Sequence, residues 1–387
     1  MNRTHTARLG AIAASASLVL AACGGTDGDN GSDDASAVNE PIVATYDGGL
    51  WVLDGETLEV AEQIDLEGFN RLNPAGDDDH VLVSTSEGFQ VLDAAGGELT
   101  ETVFAADAPG HVVRHADKAV LFADGSGEIT TFDPHDLADG EPETETFSAL
   151  EAHHGVAIEL ENGERLITLG DEDERVGAYV TDADGHEVAR SEECPGVHGE
   201  ATAADEVVVI GCEDGILKYH EGEFTKIDAP DDYGRIGNQA GSDASPVVLG
   251  DYKTDPDAEL ERPERISLID TANDELQLVD LPASYTFRSL ARGEDGEALV
   301  LGTDGAIHVI DPESGEIENS IDVVDEWTEP IDWQEPRPAI FVREGVAYVS
   351  DPEGQAIHSV DLESGEVTAS ADLDAAPNEL SGVLHAH

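Results

Sequence analysis

Histidine is the residue type in this chain whose placement points to chemistry. There are 14, and neutral imidazole is a good borderline ligand for Zn(II) at neutral pH because it needs little deprotonation. Four stand apart: His111, the adjacent pair His153 and His154, and His198. They open the first strand-like segment of three consecutive repeating units, and in a closed ring of such units equivalent positions converge on a central channel. Three imidazoles with a carboxylate or a water would complete a tetrahedral zinc site. Either His153 or His154 can supply the second ligand. Glu200, two residues after His198 and so on the same face of an ideal strand, is the fourth or supporting group. His115 shares a face with His111, but four residues of strand put it ~13 Å away, which would assign it to a second site. His385 and His387 offer another weak contact or a frayed end. His80, His135, His186, His220, His308 and His358 stand singly among charged neighbours and are expected to be solvated.

The units that must position these side chains are visible as a repeat. Asp311-Pro-Glu-Ser-Gly-Glu316 is nearly duplicated by Asp361-Leu-Glu-Ser-Gly-Glu366, and looser copies start at Asp54, Asp93, Asp133, Asp182 and Asp270. The mean spacing is about 44 residues, the length of a four-stranded propeller blade. Strands can be read singly within a unit, for example Phe287 to Ala291, Ala298 to Gly302, Ala306 to Ile310 and Glu316 to Val323, each bounded by Gly, Asp or Pro. Counting units predicts an all-β chain folded as an eight-bladed β-propeller of four-stranded blades. The first unit, Ile42 to Leu66, has only three strands, and an orphan segment from Asn378 to Val383 is left at the end. Joining the two would close the ring and hide both sheet edges. A seven-bladed ring with one irregular insertion is the competing architecture.

Residues 1–22 read as a lipoprotein signal peptide: Arg3 and Arg8, an apolar run from Leu9 to Leu20, then Leu20-Ala-Ala-Cys23. The run is well short of the ~20 residues that span a bilayer. Cys23 is therefore expected to carry a lipid that holds the protein to the outer face of the cytoplasmic membrane. Residues 23–40 are rich in Gly, Asp, Ser and Asn and form a flexible acidic tether, and 41–387 form the propeller. With 86 acidic against 18 basic residues, the formal charge of −68 repels phosphate backbones, so nucleic acid is excluded as a partner. The regular apolar alternation excludes a disordered chain. Cys194 and Cys212 sit symmetrically about the turn between two predicted strands, so they face each other and would form a disulfide outside the membrane. Thiolate ligation of the metal is the alternative.

Taken together, Cys194-Pro-Gly-Val-His-Gly-Glu-Ala201, His153-His-Gly155, Gly211-Cys-Glu-Asp-Gly215, GRIGNQAG at 234–241, GDYKTD at 250–255 and SYTFRSLA at 284–291 resemble the AztD-type zinc metallochaperones. The resemblance implies an extracytoplasmic propeller that holds Zn(II) and hands it to the solute-binding protein of an ABC-type zinc importer. It also implies that His111, His153 or His154, and His198 are the metal-site positions. A monomeric carrier, not an enzyme, is expected. Direct transfer needs a site open at a channel mouth, where incoming ligands replace outgoing ones stepwise, so the ligands should lie near one rim. A propeller lactonase or quinone-dependent dehydrogenase is the rival reading. Such enzymes favour a hard ion held by oxygens or a cofactor funnel with stacked Trp, whereas Trp51, Trp327 and Trp333 do not open innermost strands. A protein-binding scaffold with incidental histidines is the third reading.

Overall fold

The computed structural model describes residues 37–384. The signal sequence, Cys23, most of the tether, and His385 and His387 lie outside the described residues. Within them, eight sheets each carry a four-stranded antiparallel meander, and one adds a short fifth strand. The expected strands of the seventh unit occur at Leu290–Arg292, Ala298–Leu301, Ala306–Ile310 and Ile317–Asp322.

The repeated aspartate makes the tight turn between the third and fourth strands. Asp311 Oδ1 accepts from the backbone N–H and the hydroxyl of Ser314, and Asp361 Oδ1 accepts from the Ser364 N–H at 2.7 Å. Gly315 and Gly365 then take φ of 72° and 70°, a left-handed conformation that suits glycine. Turn chemistry thus fixes the repeat locally, while apolar faces pack blade against blade. The cluster of Val113, Phe122, Leu166, Tyr179, Ile210 and Tyr219, for example, spans blades three to five.

Closure follows the expected route. Leu380–Gly382 pairs with Ile42–Tyr46, with Ile42 opposite Gly382 and Ala44 opposite Leu380, and becomes the innermost strand of the first blade. Arg343 locks the joint by donating to the Val383 carbonyl at 3.0 Å and the Glu40 carbonyl at 2.7 Å. This removes two exposed strand edges, and with them a template for aggregation.

Because every blade repeats the same meander, the innermost strands run the same way along the channel, and their starts define one rim. Three are Pro109–His115, Ala157–Glu159 and His198–Ala203, in blades three, four and five.

Candidate metal centre

His111 is the third residue of its innermost strand, His154 lies in the loop just before the next, and His198 is the first residue of the third. All three therefore reach one rim. Their ring centroids form a near-equilateral triangle, with separations of 5.1 Å for His111–His154, 5.3 Å for His111–His198 and 5.0 Å for His154–His198. One ring nitrogen from each lies within 4.8 Å of the other two. Tetrahedral zinc with Zn–N near 2.0–2.1 Å would set nitrogens about 3.3 Å apart, so little movement separates this arrangement from a bound one.

The hydrogen bonds orient the rings. His154 Nδ1 lies 2.5 Å from Asp124 Oδ2, and His198 Nδ1 lies 2.5 Å from the Gly237 carbonyl oxygen. A carbonyl and a carboxylate only accept, so both Nδ1 atoms carry a proton, and in each neutral ring Nε2 is the atom that presents a lone pair. Those two Nε2 atoms face each other at 3.0 Å. Two lone pairs at that distance repel unless a cation or a shared proton lies between them. Burial lowers the His198 pKa to about 3 against the raising effect of the Gly237 bond, with His154 and nearby Arg235 and Arg175 adding to the fall. Burial and the neighbouring His198 and His154 hold His111 well below the ordinary imidazole range. Both rings are neutral at neutral pH, the form a metal ion requires. A carboxylate or carbonyl on the distal nitrogen is the usual support for a metal-bound histidine. The His154 side chain is 47% exposed, so the cluster opens to solvent at the rim.

Two sequence-predicted groups are placed elsewhere. His153 is buried, with Nδ1 2.9 Å from the Glu151 carbonyl and Nε2 2.9 Å from Thr168 Oγ1, and its ring packs edge-on against Phe122. Both its nitrogens are engaged inside the blade, because the chain bends at His154 and the two neighbouring rings part there. Glu200 is not in the histidine group either. A bulge at Gly199, φ 70°, sets His198 opposite Gly211 but Glu200 opposite Ile210, so the two side chains do not share a face. Glu200 instead lines a cavity of about 1080 Å³ with Arg114, His115 and Glu206. Burial pushes its carboxyl up to about 7, offset in part by Arg114.

His115 ends its strand at that other end of the channel, with Nε2 2.7 Å from Glu206 Oε1. His80 and His308, expected to be solvated, are buried: His80 Nδ1 meets Asp77 at 2.6 Å, and His308 Nδ1 meets Ser320 Oγ at 2.9 Å. Cys194 and Cys212 form the expected disulfide, one strand-pair away from His198. Asp124 and Gly237 carry no sequence signal as supports of the histidines, although Gly237 lies within the stretch 234–241. Asp124 comes from a turn in a different blade from its histidine, and Gly237 acts through its backbone, so no spacing rule marks either.

No protein-family model matches the chain. The zinc chaperone AztD of Citrobacter koseri is 27% identical over 286 residues, covering 71% of this chain and 65% of its own length, slightly less than two thirds of that relative. The structure of apo AztD from the same organism superposes with a TM-score of 0.76 at 22% identity, over 89% of this chain and 96% of the other. A second crystal structure of that protein gives 0.73 at 23% identity over the same shares. The dihydro-heme d1 dehydrogenase NirN, in complex with DHE, gives 0.60 at 14% identity over 90% of this chain and 75% of its own. The likeness to AztD read from short motifs therefore holds across most of the propeller, and the structural comparisons share the fold.

Proposed function

We propose that the protein is a zinc chaperone that holds Zn(II) on His111, His154 and His198 and releases it by direct ligand exchange at the rim. One observation carries the reading: two Nε2 atoms, on rings whose Nδ1 protons are already committed, face each other at 3.0 Å with a third imidazole beside them. A metal ion bound there would take the lone pairs of all three neutral rings. The similarity to AztD supports zinc as the cation and a carrier as the role. Three protein ligands leave the fourth position for water or for a donor from a receiving protein, whereas a closed four-ligand site would hold its metal too firmly to pass it on. In this reading the receiver is the solute-binding protein of an ABC-type zinc importer. The chain works as a monomer outside the cytoplasmic membrane, held there by a lipid on Cys23, and zinc is cargo, not a catalyst.

The test is a zinc competition titration against a chromophoric chelator, with metal content measured on protein purified without added zinc. His198→Ala and His111→Ala should each lose at least tenfold in affinity. Unchanged binding in both variants would remove the site assignment, and calcium in place of zinc in the purified protein would favour the enzymatic reading.

A further inference from the structure

Three of the stretches that carry the resemblance, at 234–241, 250–255 and 284–291, contain none of the metal-site histidines, yet the structure brings them together behind His198. The Gly237 carbonyl that accepts the His198 Nδ1 proton belongs to a loop between blades five and six. That loop is held chiefly by one side chain. Asp251 Oδ1 accepts from the Gly237 N–H at 2.6 Å and the Asn238 N–H at 3.0 Å, and Asp251 Oδ2 accepts from Asn238 Nδ2 at 3.1 Å. The Asp251 N–H returns a bond to the Asn238 carbonyl at 2.9 Å.

Asp251 is itself only 1% exposed. Asp251 ends the strand Val247–Asp251, and the residue after it, Tyr252, donates its N–H to Tyr285 Oη at 3.0 Å, while Tyr285 Oη donates to the Arg265 carbonyl at 2.7 Å. On the other side of the loop the Ile236 N–H donates to the carbonyl of the disulfide-bonded Cys212 at 3.0 Å. Gln239 Nε2 reaches the His198 carbonyl at 3.4 Å. The loop can sit this close only because positions 199 and 211 are glycine: a Cβ at Gly211 would collide with the Ile236 carbonyl oxygen, and one at Gly199 with the Gly237 carbonyl oxygen.

We infer that Asp251 is a positioning residue for the metal ligand His198, acting through the Gly237–Asn238 loop to keep His198 in the Nδ1–H tautomer with Nε2 bare toward the mouth. The inference rests on the zinc reading above for its purpose, but its geometry is independent of any ion. A buried carboxylate receiving two backbone N–H bonds and one amide bond leaves the loop a single conformation. The Gly237 carbonyl is then fixed before metal arrives, and the ring behind it cannot flip or exchange tautomers at no cost. The linkage explains why residues separated by two blades in sequence form a unit: Tyr285 supports the strand of Asp251, Asp251 the loop, and the loop the imidazole.

Two measurements on Asp251→Ala test this, with Asp251→Asn as the conservative variant. Asn keeps an acceptor for the two N–H groups, and the Asn238 amide can turn to accept from its NH2. Long-range ¹H–¹⁵N spectra of metal-free protein labelled at histidine report the His198 tautomer, and chelator competition reports affinity. Asp251→Ala should populate the Nε2–H form of His198 and lose about tenfold in zinc affinity, at the low end of what supporting groups cost metal sites. Asp251→Asn should restore both to near the wild-type result. If Asp251→Ala does not fold, Asp251→Ser, which keeps one short acceptor, replaces it. A wild-type His198 tautomer in the folded variant would overturn the inference, as would a loss of affinity that the Asn variant does not recover. Wild-type zinc binding by both His198→Ala and His111→Ala would instead overturn the metal-site assignment, and the tautomer measurement on metal-free protein would still judge the linkage.

Discussion

Removing the carboxylate behind His154 should weaken zinc binding by a modest, calculable amount. In Asp124→Asn the side chain keeps an acceptor oxygen but loses its charge, so the bond to His154 Nδ1–H passes from charge-assisted to neutral. A bond to a charged group contributes about 1.5–3 kcal/mol against about 1 for a neutral one. The His154 side chain is 47% exposed and that of Asp124 21%, so solvent screening roughly halves the difference of about 0.5–2 kcal/mol, to about 0.25–1 kcal/mol. That corresponds to a loss of about 1.5- to fivefold in affinity, since ~1.4 kcal/mol is a factor of ten. Asp124→Ala removes the acceptor altogether, frees the ring to rotate, and should cost about tenfold. His154→Ala deletes a ligand and should cost clearly more than either. Competitive titration with a chelator of matched affinity measures all three. The reasoning fails if Asp124→Asn and Asp124→Ala both bind as wild type. It also fails if Asp124→Ala loses as much as His154→Ala, because Asp124 would then be a ligand and not the support of one.

Three further outcomes follow from residues around the site. His153→Ala should leave zinc affinity within about twofold but destabilise the fold by about 1–3 kcal/mol, because Glu151 and Thr168 lose a buried partner; thermal melting and titration separate the two effects. Reducing the disulfide, whose cysteines are 18 residues apart, should lower stability by ~3 kcal/mol in the chain-entropy estimate. It should also loosen the Cys212 end of the loop behind His198, read as a lower melting temperature with reductant and none in Cys194→Ala/Cys212→Ala. At His80, burial alone would lower the pKa, but the hydrogen bond and charge of Asp77 outweigh it and raise it. A raised folded value means this pair stabilises most below the unfolded pKa of about 6.5 and loses that contribution as pH rises through the folded value. Urea midpoints of wild type and His80→Gln should therefore converge at alkaline pH, and a gap that widens there would contradict the pairing.

Blade number and ring closure were legible in the chain because both rest on local chemistry. An aspartate that caps its own turn and a glycine at positive φ recur wherever the third strand of a blade ends, as at Asp311 and Asp361, and apolar alternation marks the strands between. The three-stranded first unit and the leftover segment near residue 380 then had one way to hide their edges. The strand starts of blades three to five also marked His111 and His198, since equivalent positions in a ring converge. Tertiary structure alone decided the rest. The choice of His154 over His153 depended on how the loop before Ala157 bends, turning one ring to the channel and the other to Thr168 and Phe122. Glu200 left the histidine group because one extra residue at Gly199 reversed the alternation, and a bulge of that kind has no periodic signature. Asp124, Gly237 and Asp251 act across blades or through backbone atoms, so their meeting with His154 and His198 is set by how the blades pack. Sequence periodicity records what each segment does for itself, and the donor orientation that prepares this mouth for a cation arises only where segments meet.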